Sequence, residues 1–290
     1  HMSSTKVPWV RSSRPAEPAR IPQRGAGKLG YWLYFIPGII LVGIIIFWPI
    51  VRNFRLSFYH WRGGRAEEQW AGLENWAALF RDEEYLQSFQ NIILVIIAMV
   101  IIPTLVGLII AALLFDYVAP RFGGRTSTTI RAAIYLPQII PIAVAGVLWG
   151  FMLQPNTGMV NTLLREAGLD SLARNWLGDP STALPTVLVI LVWLQMGYTV
   201  VLFVAGMARM DPSLHEAASL DGATWLQRFR SITVWQLLPE ISVVLLTTTV
   251  AALKVFAPIY ILTSGGPGNA TVVPSYFAYF HFFTTTKVGY

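Results

Sequence analysis

The chain has 290 residues, 54% of them apolar and 12% charged, with a formal net charge of +6. A soluble domain carries about 25% charge, so this composition excludes a water-soluble globular protein. The lack of cysteine excludes disulfides, zinc thiolates and thiol catalysis.

Residues 1–28 are polar and proline-rich, without the apolar core of a cleavable leader, and are expected to form a disordered or weakly ordered tail. Residues 29–51, 91–115, 132–164 and 180–208 then contain no Asp, Glu, Lys or Arg. A membrane-crossing helix needs about 20 apolar residues. A β-barrel would alternate polar and apolar positions over strands of about ten residues. The spacing predicts five helical spans at 29–51, 91–115, 132–153, 183–208 and 241–262.

Between the first two spans, Trp61, Trp70, Trp76 and Tyr85 stand among charges, a pattern that suits short helices at a membrane–water interface. Pro137 and Pro141 are expected to bend the start of the third span. Gly146 and Gly150 fit the small-xxx-small packing pattern, but that pattern is common by chance in glycine-bearing spans, and a local bend or chance is the leading alternative. The run from Thr162 to Gly168 reads as a short amphipathic helix ended by glycine. Residues 276–290 are aromatic and almost free of charge. They are expected to approach a sixth span lying largely outside this sequence.

Twelve of the 21 Lys and Arg residues fall in the N-terminus and in the second and fourth connections, against five acids; the other side holds eight against nine acids. The positive-inside rule then places the N-terminus in the cytoplasm. The net charge of +6 is therefore mostly a topology signal and gives no reason to expect nucleic acid.

Catalytic patterns are missing. Gly25-Ala-Gly-Lys28 has the wrong spacing for a phosphate-binding loop, the four histidines have no metal-like spacing, and no serine lies in Gly-x-Ser-x-Gly. Any ATP would be hydrolysed by another chain. An intramembrane enzyme would need His, Asp or Ser converging inside spans. A stand-alone secondary transporter or channel would need intramembrane acids or broken-helix pairs in matching halves. The sequence displays neither.

The segment 210–239 is the most informative. Asp211 can cap a helix with Pro212 at its first position, or Ser213 and Glu216 can form a capping box. Ala217 and Ala218 leave a face without bulk, and Gly222 permits a left-handed turn. Thr224 can cap a second helix whose Trp225, Phe229 and Ile232 share one face. A bare Glu-Ala-Ala triplet means little. The whole pattern of Glu216-Ala217-Ala218, Asp221-Gly222-Ala223, Ile232-Thr233 and Pro239 closely resembles the permease subunits of binding-protein-dependent ATP-binding-cassette (ABC) importers. Gly72-Leu-Glu-Asn-Trp76, Tyr135-Leu-Pro137 and the run from Leu262 to Thr271 resemble the carbohydrate-uptake branch, which carries oligosaccharides, polyols and glycerol phosphates. Val234 and Trp235 depart from the Leu-Pro that the family often has there, so the bend entering span five is expected to differ.

The resemblance implies an all-α, polytopic bundle of the type I ABC importer kind with a six-span core. It also implies a bacterial or archaeal plasma-membrane location and alternating access. The implied partners are a second homologous permease, two ATPase subunits and an extracytoplasmic solute-binding protein. ATP and Mg would sit on the ATPases, with no cofactor or metal on this chain. Residues 210–239 would form a coupling helix. There Glu216 pairs with a basic group of the ATPase or serves only as a cap, Ala217 and Ala218 permit close approach, Gly222 sets the turn, and Asp221 completes the ATPase-coupling set. Candidates for the substrate path are Lys254, Gln195, Tyr198, Trp193 and Asn269. Lys254, placed well inside span five, either lines the path or snorkels to the interface. Aromatic residues in a span are more often packing or belt residues. The loop 263–271 is either an outer gate or an ordinary turn.

Overall fold

A computed structural model of the protein describes residues 28–286. The expected tail, apart from its last residue, and Lys287 lie outside the described residues. The chain divides into two compact units, 1–55 and 56–290. Helices α1 (Lys28–Val42) and α2 (Trp48–Leu56) follow one another through a π-helical turn, Gly43–Phe47. From Trp32 to Val51 apolar residues occupy every side of the helix, as in a segment meant for lipid rather than for an aqueous surface, and the charges begin at Arg52.

In the second unit, β1 (Tyr59–His60) and β2 (Gln69–Trp70) form an antiparallel pair with Tyr59 opposite Trp70. The sequence reading anticipated only short helices here, so the hairpin is a correction. Its cause is local: Gly63 and Gly64 take positive φ, and Trp70 packs edge-on to Tyr59 at 5.1 Å. Helix α3 (Glu74–Leu79) follows, and buried Asn75 donates to the carbonyls of Ser57 and Tyr59 at 3.0 Å each.

Helix α4 (Glu83–Leu113) is capped by Asp82, passes through a π-helical turn, Leu114–Val118, and leads into α5 (Ala119–Ile139). Within α5, Gly123 leaves helical geometry with φ 84°. The chain doubles back in this region. A Cβ placed on Gly107 of α4 would lie 2.9 Å from Thr199, and one on Gly197 would lie 2.6 Å from the Ile134 carbonyl of α5. Positions 107 and 134 therefore meet the same turn of α8 (Pro180–Met207), whereas a straight helix would separate them by about 40 Å.

The third apolar run starts earlier than expected and is broken rather than bent. Ile140 is extended (φ −68°, ψ 126°) before Pro141, and α6 (Ile142–Met152) begins afresh. A residue before proline is driven out of the helical region, so Pro141 interrupts the run, while Pro137 stays buried within α5. Gly146 packs against Ile261, whereas a Cβ on Gly150 would meet nothing within 4 Å. Helix α7 (Met159–Glu166) starts before Thr162 and stops two residues ahead of Gly168, which has φ 74°. Buried Asn161 ties the connection after α7 together, donating to the carbonyls of Pro155 and Arg174 and accepting from the Trp176 indole at 2.7 Å.

After α8 come α9 (Pro212–Leu220), α10 (Trp225–Arg228), α11 (Val234–Gln236) and α12 (Leu238–Leu253). The fifth run is broken as well: α12 stops at Leu253, and α13 (Ala257–Leu262) restarts beyond Phe256. Helix α14 (Pro274–Phe283) carries the aromatic C-terminal stretch. Trp32–Leu56, Glu83–Ile139 and Pro180–Met207 are long and apolar enough to cross a membrane.

Candidate functional site

Two places stand out, one at each end of α12. The first is the segment between α8 and α12. Asp211 accepts the Ser213 amide at 2.9 Å and caps α9, with Pro212 in the first turn. This cap holds the Asp211 carboxyl below its ordinary range, through the Ser213 backbone N–H first and its side chain second. At the other end, Gly222 has φ 78°. Its amide bonds to Ser219, and that of Ala223 bonds to Ala218, the paired 5→2 and 6→1 bonds of a Schellman stop. Helix α9 is thus a short rigid piece closed at both ends. Glu216, Ala217 and Asp221 are exposed and Ala218 half-buried, and Leu220, in its last turn, is 90% exposed.

Thr224 and Gln227 form the capping box of α10. Trp225 stacks on Phe229 at 5.2 Å, and its indole N–H donates to Asp116 at 2.8 Å. The helices up to Gln236 then meet α12 at a 68° bend. Pro239 accommodates the bend from the first turn of α12, where its missing N–H has no helical partner to lose. Behind α9 is a cavity of about 420 Å³ whose lining includes Asp116, His215, Glu216, Trp225 and Arg228.

The second place is a cavity of about 480 Å³ at the far end of α12. Both helix breaks border it: Ile139 to Ile142 from one side and Lys254 to Pro258 from the other, with Gln138, Gln195 and Leu194 among the rest of the wall. Irregular backbone at membrane depth is tolerated only where protein or a water-filled cavity satisfies its polar groups. One freed carbonyl, that of Val255, accepts the Ser275 hydroxyl. Lys254 is the C-terminal cap residue of α12 (φ −95°, ψ 5°). The expectation that it lies within a continuous span is therefore corrected: the helix ends at its position. Broken helices, which the sequence did not display, are also present.

Of the residues named from sequence, Lys254 and Gln195 share this cavity. Trp193 instead packs edge-on to Trp149 at 5.5 Å, and the Tyr198 hydroxyl bonds to Thr247 at 3.2 Å. Asn269 sits at a turn with φ 62°, where its carbonyl and that of Val272 face the buried Asn91 amide at 3.5 and 2.8 Å. Sequence reasoning missed Gln138, Asp116 and the pairing of Arg209 with Glu240. All three depend on contacts distant in sequence. Among the described residues no group of three or more His, Asp or Glu side chains converges as a metal site.

Helices α8 and α12 run between the two places. The 16 residues of α12 span about 24 Å, from the bend beside the first to Lys254 at the second.

Comparison with known proteins concerns the chain as a whole. Residues 117–288 match the family described as binding-protein-dependent transport system inner membrane component. The probable ABC transporter permease protein YurN of Bacillus subtilis is 36% identical, covering 91% of this chain and 88% of its own. The trehalose/maltose transport system permease protein MalF of Thermococcus litoralis is 32% identical, covering 87% and 82%. A solved bacterial alginate ABC transporter, in complex with alginate pentasaccharide-bound periplasmic protein, shares the fold. Its matching chain has a TM-score of 0.75 and 23% identity, with 90% of this chain and 86% of that chain covered.

Proposed function

The chain belongs to the family of binding-protein-dependent transport system inner membrane components, and we propose that it imports a carbohydrate-type solute by alternating access. It is a multi-pass permease subunit. In this reading a second permease completes the path, two ATPase subunits bind ATP and Mg, and an extracytoplasmic protein delivers the solute. The N-terminus and α9 lie in the cytoplasm. The observation that carries the proposal is the doubly capped α9, connected through α8 and α12 to a cavity bordered by two helix breaks.

The mechanism follows from that connection. Helix α9 docks on the ATPase through Glu216 and the exposed Leu220, with Ala217 and Ala218 allowing close approach. Closure of the ATPases moves α9 as a rigid body, and α8 and α12 carry the movement to the cavity. A ligand or nucleotide shifts such an equilibrium only by its differential contacts with the two states. At the cavity, Lys254, Gln195 and Gln138 offer hydrogen bonds to hydroxyl or anionic groups, and a volume near 480 Å³ is within the range of small-molecule sites. Names of relatives support the carbohydrate class: trehalose/maltose for one, alginate for the solved transporter. Purifying the tagged chain from its native membrane tests the assembly. A second permease and an ATPase pair should accompany it in fixed ratio, whereas recovery of the chain alone would favour a stand-alone transporter.

A further inference from the structure

Two side chains more than a hundred residues apart join the α9–α10 segment to the corner between α4 and α5. The indole N–H of Trp225 donates to the Asp116 carboxylate at 2.8 Å. Trp225 also stacks on Phe229 at 5.2 Å and lies 6.0 Å from the Tyr117 ring. Asp116 is in the π-helical turn Leu114–Val118, just ahead of the non-helical Gly123. Single π-turns inside α-helices are frequent at functional sites. Trp225 and Phe229 pack onto the same core as buried Leu108, Ala111 and Leu114, so the joint has an apolar foundation and one charge-assisted hydrogen bond. A bond to an ionised group is roughly twice as strong as a neutral one.

The consequence is mechanical. Helices α8 and α12 reach one side of the cavity between the breaks, but Ile139 to Ile142 belong to α5 and α6 and have no covalent route from α9 along those two helices. The Asp116–Trp225 bond supplies a direct noncovalent one. We infer that Asp116 and Trp225 are positioning residues that make the α4–α5 corner move with α9, so that both helix breaks are driven together. This inference rests on α9 being the ATPase-docking helix.

The test uses the full complex with its ATPase subunits, and the absence of cysteine permits clean labelling. Nitroxides are placed at Leu214 and Phe122, both exposed. Their separation is measured without nucleotide and with MgATP plus orthovanadate. In the otherwise unaltered protein the separation should stay the same in both states. In Trp225→Phe and in Asp116→Ala it should shift by several ångströms on trapping. Asp116→Asn, which retains an acceptor oxygen, should restore the unaltered behaviour. A separation that changes equally with and without the bond would overturn the inference, as would one that stays fixed in every variant. Docking is read separately, from immobilisation of the Leu214 label when ATPase subunits are added. Without that immobilisation the docking reading itself fails. With it and a null result at Trp225, only the joint fails.

Discussion

The Glu240 carboxylate accepts a 2.5 Å hydrogen bond from the Arg209 guanidinium, joining the residues just after α8 to the first turn of α12. The Glu240 side chain is 15% exposed and that of Arg209 is 70% exposed. Gly206 makes room for the pair, since a Cβ there would lie 2.6 Å from Leu237 and 2.9 Å from Glu240. The segment carrying α9 is therefore closed at its base, and the two helices leaving it are constrained to move together.

Arg209→Ala should leave Glu240 largely buried without its cation. The cost is about 1–2 kcal/mol once the exposure of Arg209 is discounted. Gly206→Ala should cost about 1–3 kcal/mol by overpacking. Thermal unfolding of the purified complex should show both losses. ATP hydrolysis should persist while solute uptake per ATP falls. Unchanged uptake per ATP in both variants would remove the clamp from the mechanism.

Gly197→Ala should be more damaging than its chemistry implies. The added carbon would lie 2.6 Å from the Ile134 carbonyl oxygen and 2.7 Å from the Tyr135 Cα, and backbone cannot rotate away as a side chain can. A loss of about 1–3 kcal/mol or more is expected, read as a lowered Tm in detergent. Gly150→Ala, with nothing within 4 Å, is the matched control and should melt like the parent. Equal behaviour of the two would contradict the close contact of α5 with α8.

Much of the architecture is legible in the residues themselves. Charge-free runs overlap the three helices long and apolar enough to cross a membrane, and the turn after Glu216-Ala217-Ala218 is attributed to Gly222, which takes φ 78°, because a positive φ is a local demand. The breaks are less legible. Pro141 signals a disturbance, yet whether it kinks or stops a helix depends on what borders the cavity. Lys254 appears buried in an apolar run because nothing local shows that α12 ends there. Asp116 has no local signal at all, since its partner is 109 residues away. Trp193 and Tyr198 illustrate the reverse limit: their helix is clear from sequence, but the neighbours Trp149 and Thr247 come only from packing.

Lys254→Met and Gln195→Leu remove the polar groups that these two residues bring to the cavity between the breaks. Each should lower uptake by about tenfold, which corresponds to about 1.4 kcal/mol, the scale of one lost hydrogen bond. Subunit stoichiometry and melting temperature should not change. The comparison is made in proteoliposomes with the solute-loaded binding protein. Normal uptake in both variants would dissociate this cavity from the solute path.

The Asp211 cap predicts a pH dependence with a definite sign. Its carboxyl is held below the ordinary value of 3.8 by the Ser213 bonds. Its contribution is therefore fully present above that value and lost as pH falls through the lower folded one. Hydrogen-exchange protection of the Ser213 amide should be level from neutral pH to about 5 and should fall only below 3.8. Asp211→Asn, which keeps the acceptor without the charge, should abolish the fall. A loss of protection already at pH 6 would place the cap elsewhere.

The central claim is that α9 docks on an ATPase subunit, and a cross-link tests it most directly. Leu220 is 90% exposed at the end of α9, and Leu220→Cys would be the sole cysteine of the chain. With a short photoactivatable reagent on that cysteine, the account predicts a covalent adduct with the ATP-binding subunit in native membranes. Adding Glu216→Lys should weaken the adduct and abolish transport while the permease stays folded. An adduct with lipid or no adduct, together with normal transport by the Glu216→Lys chain, would contradict the account.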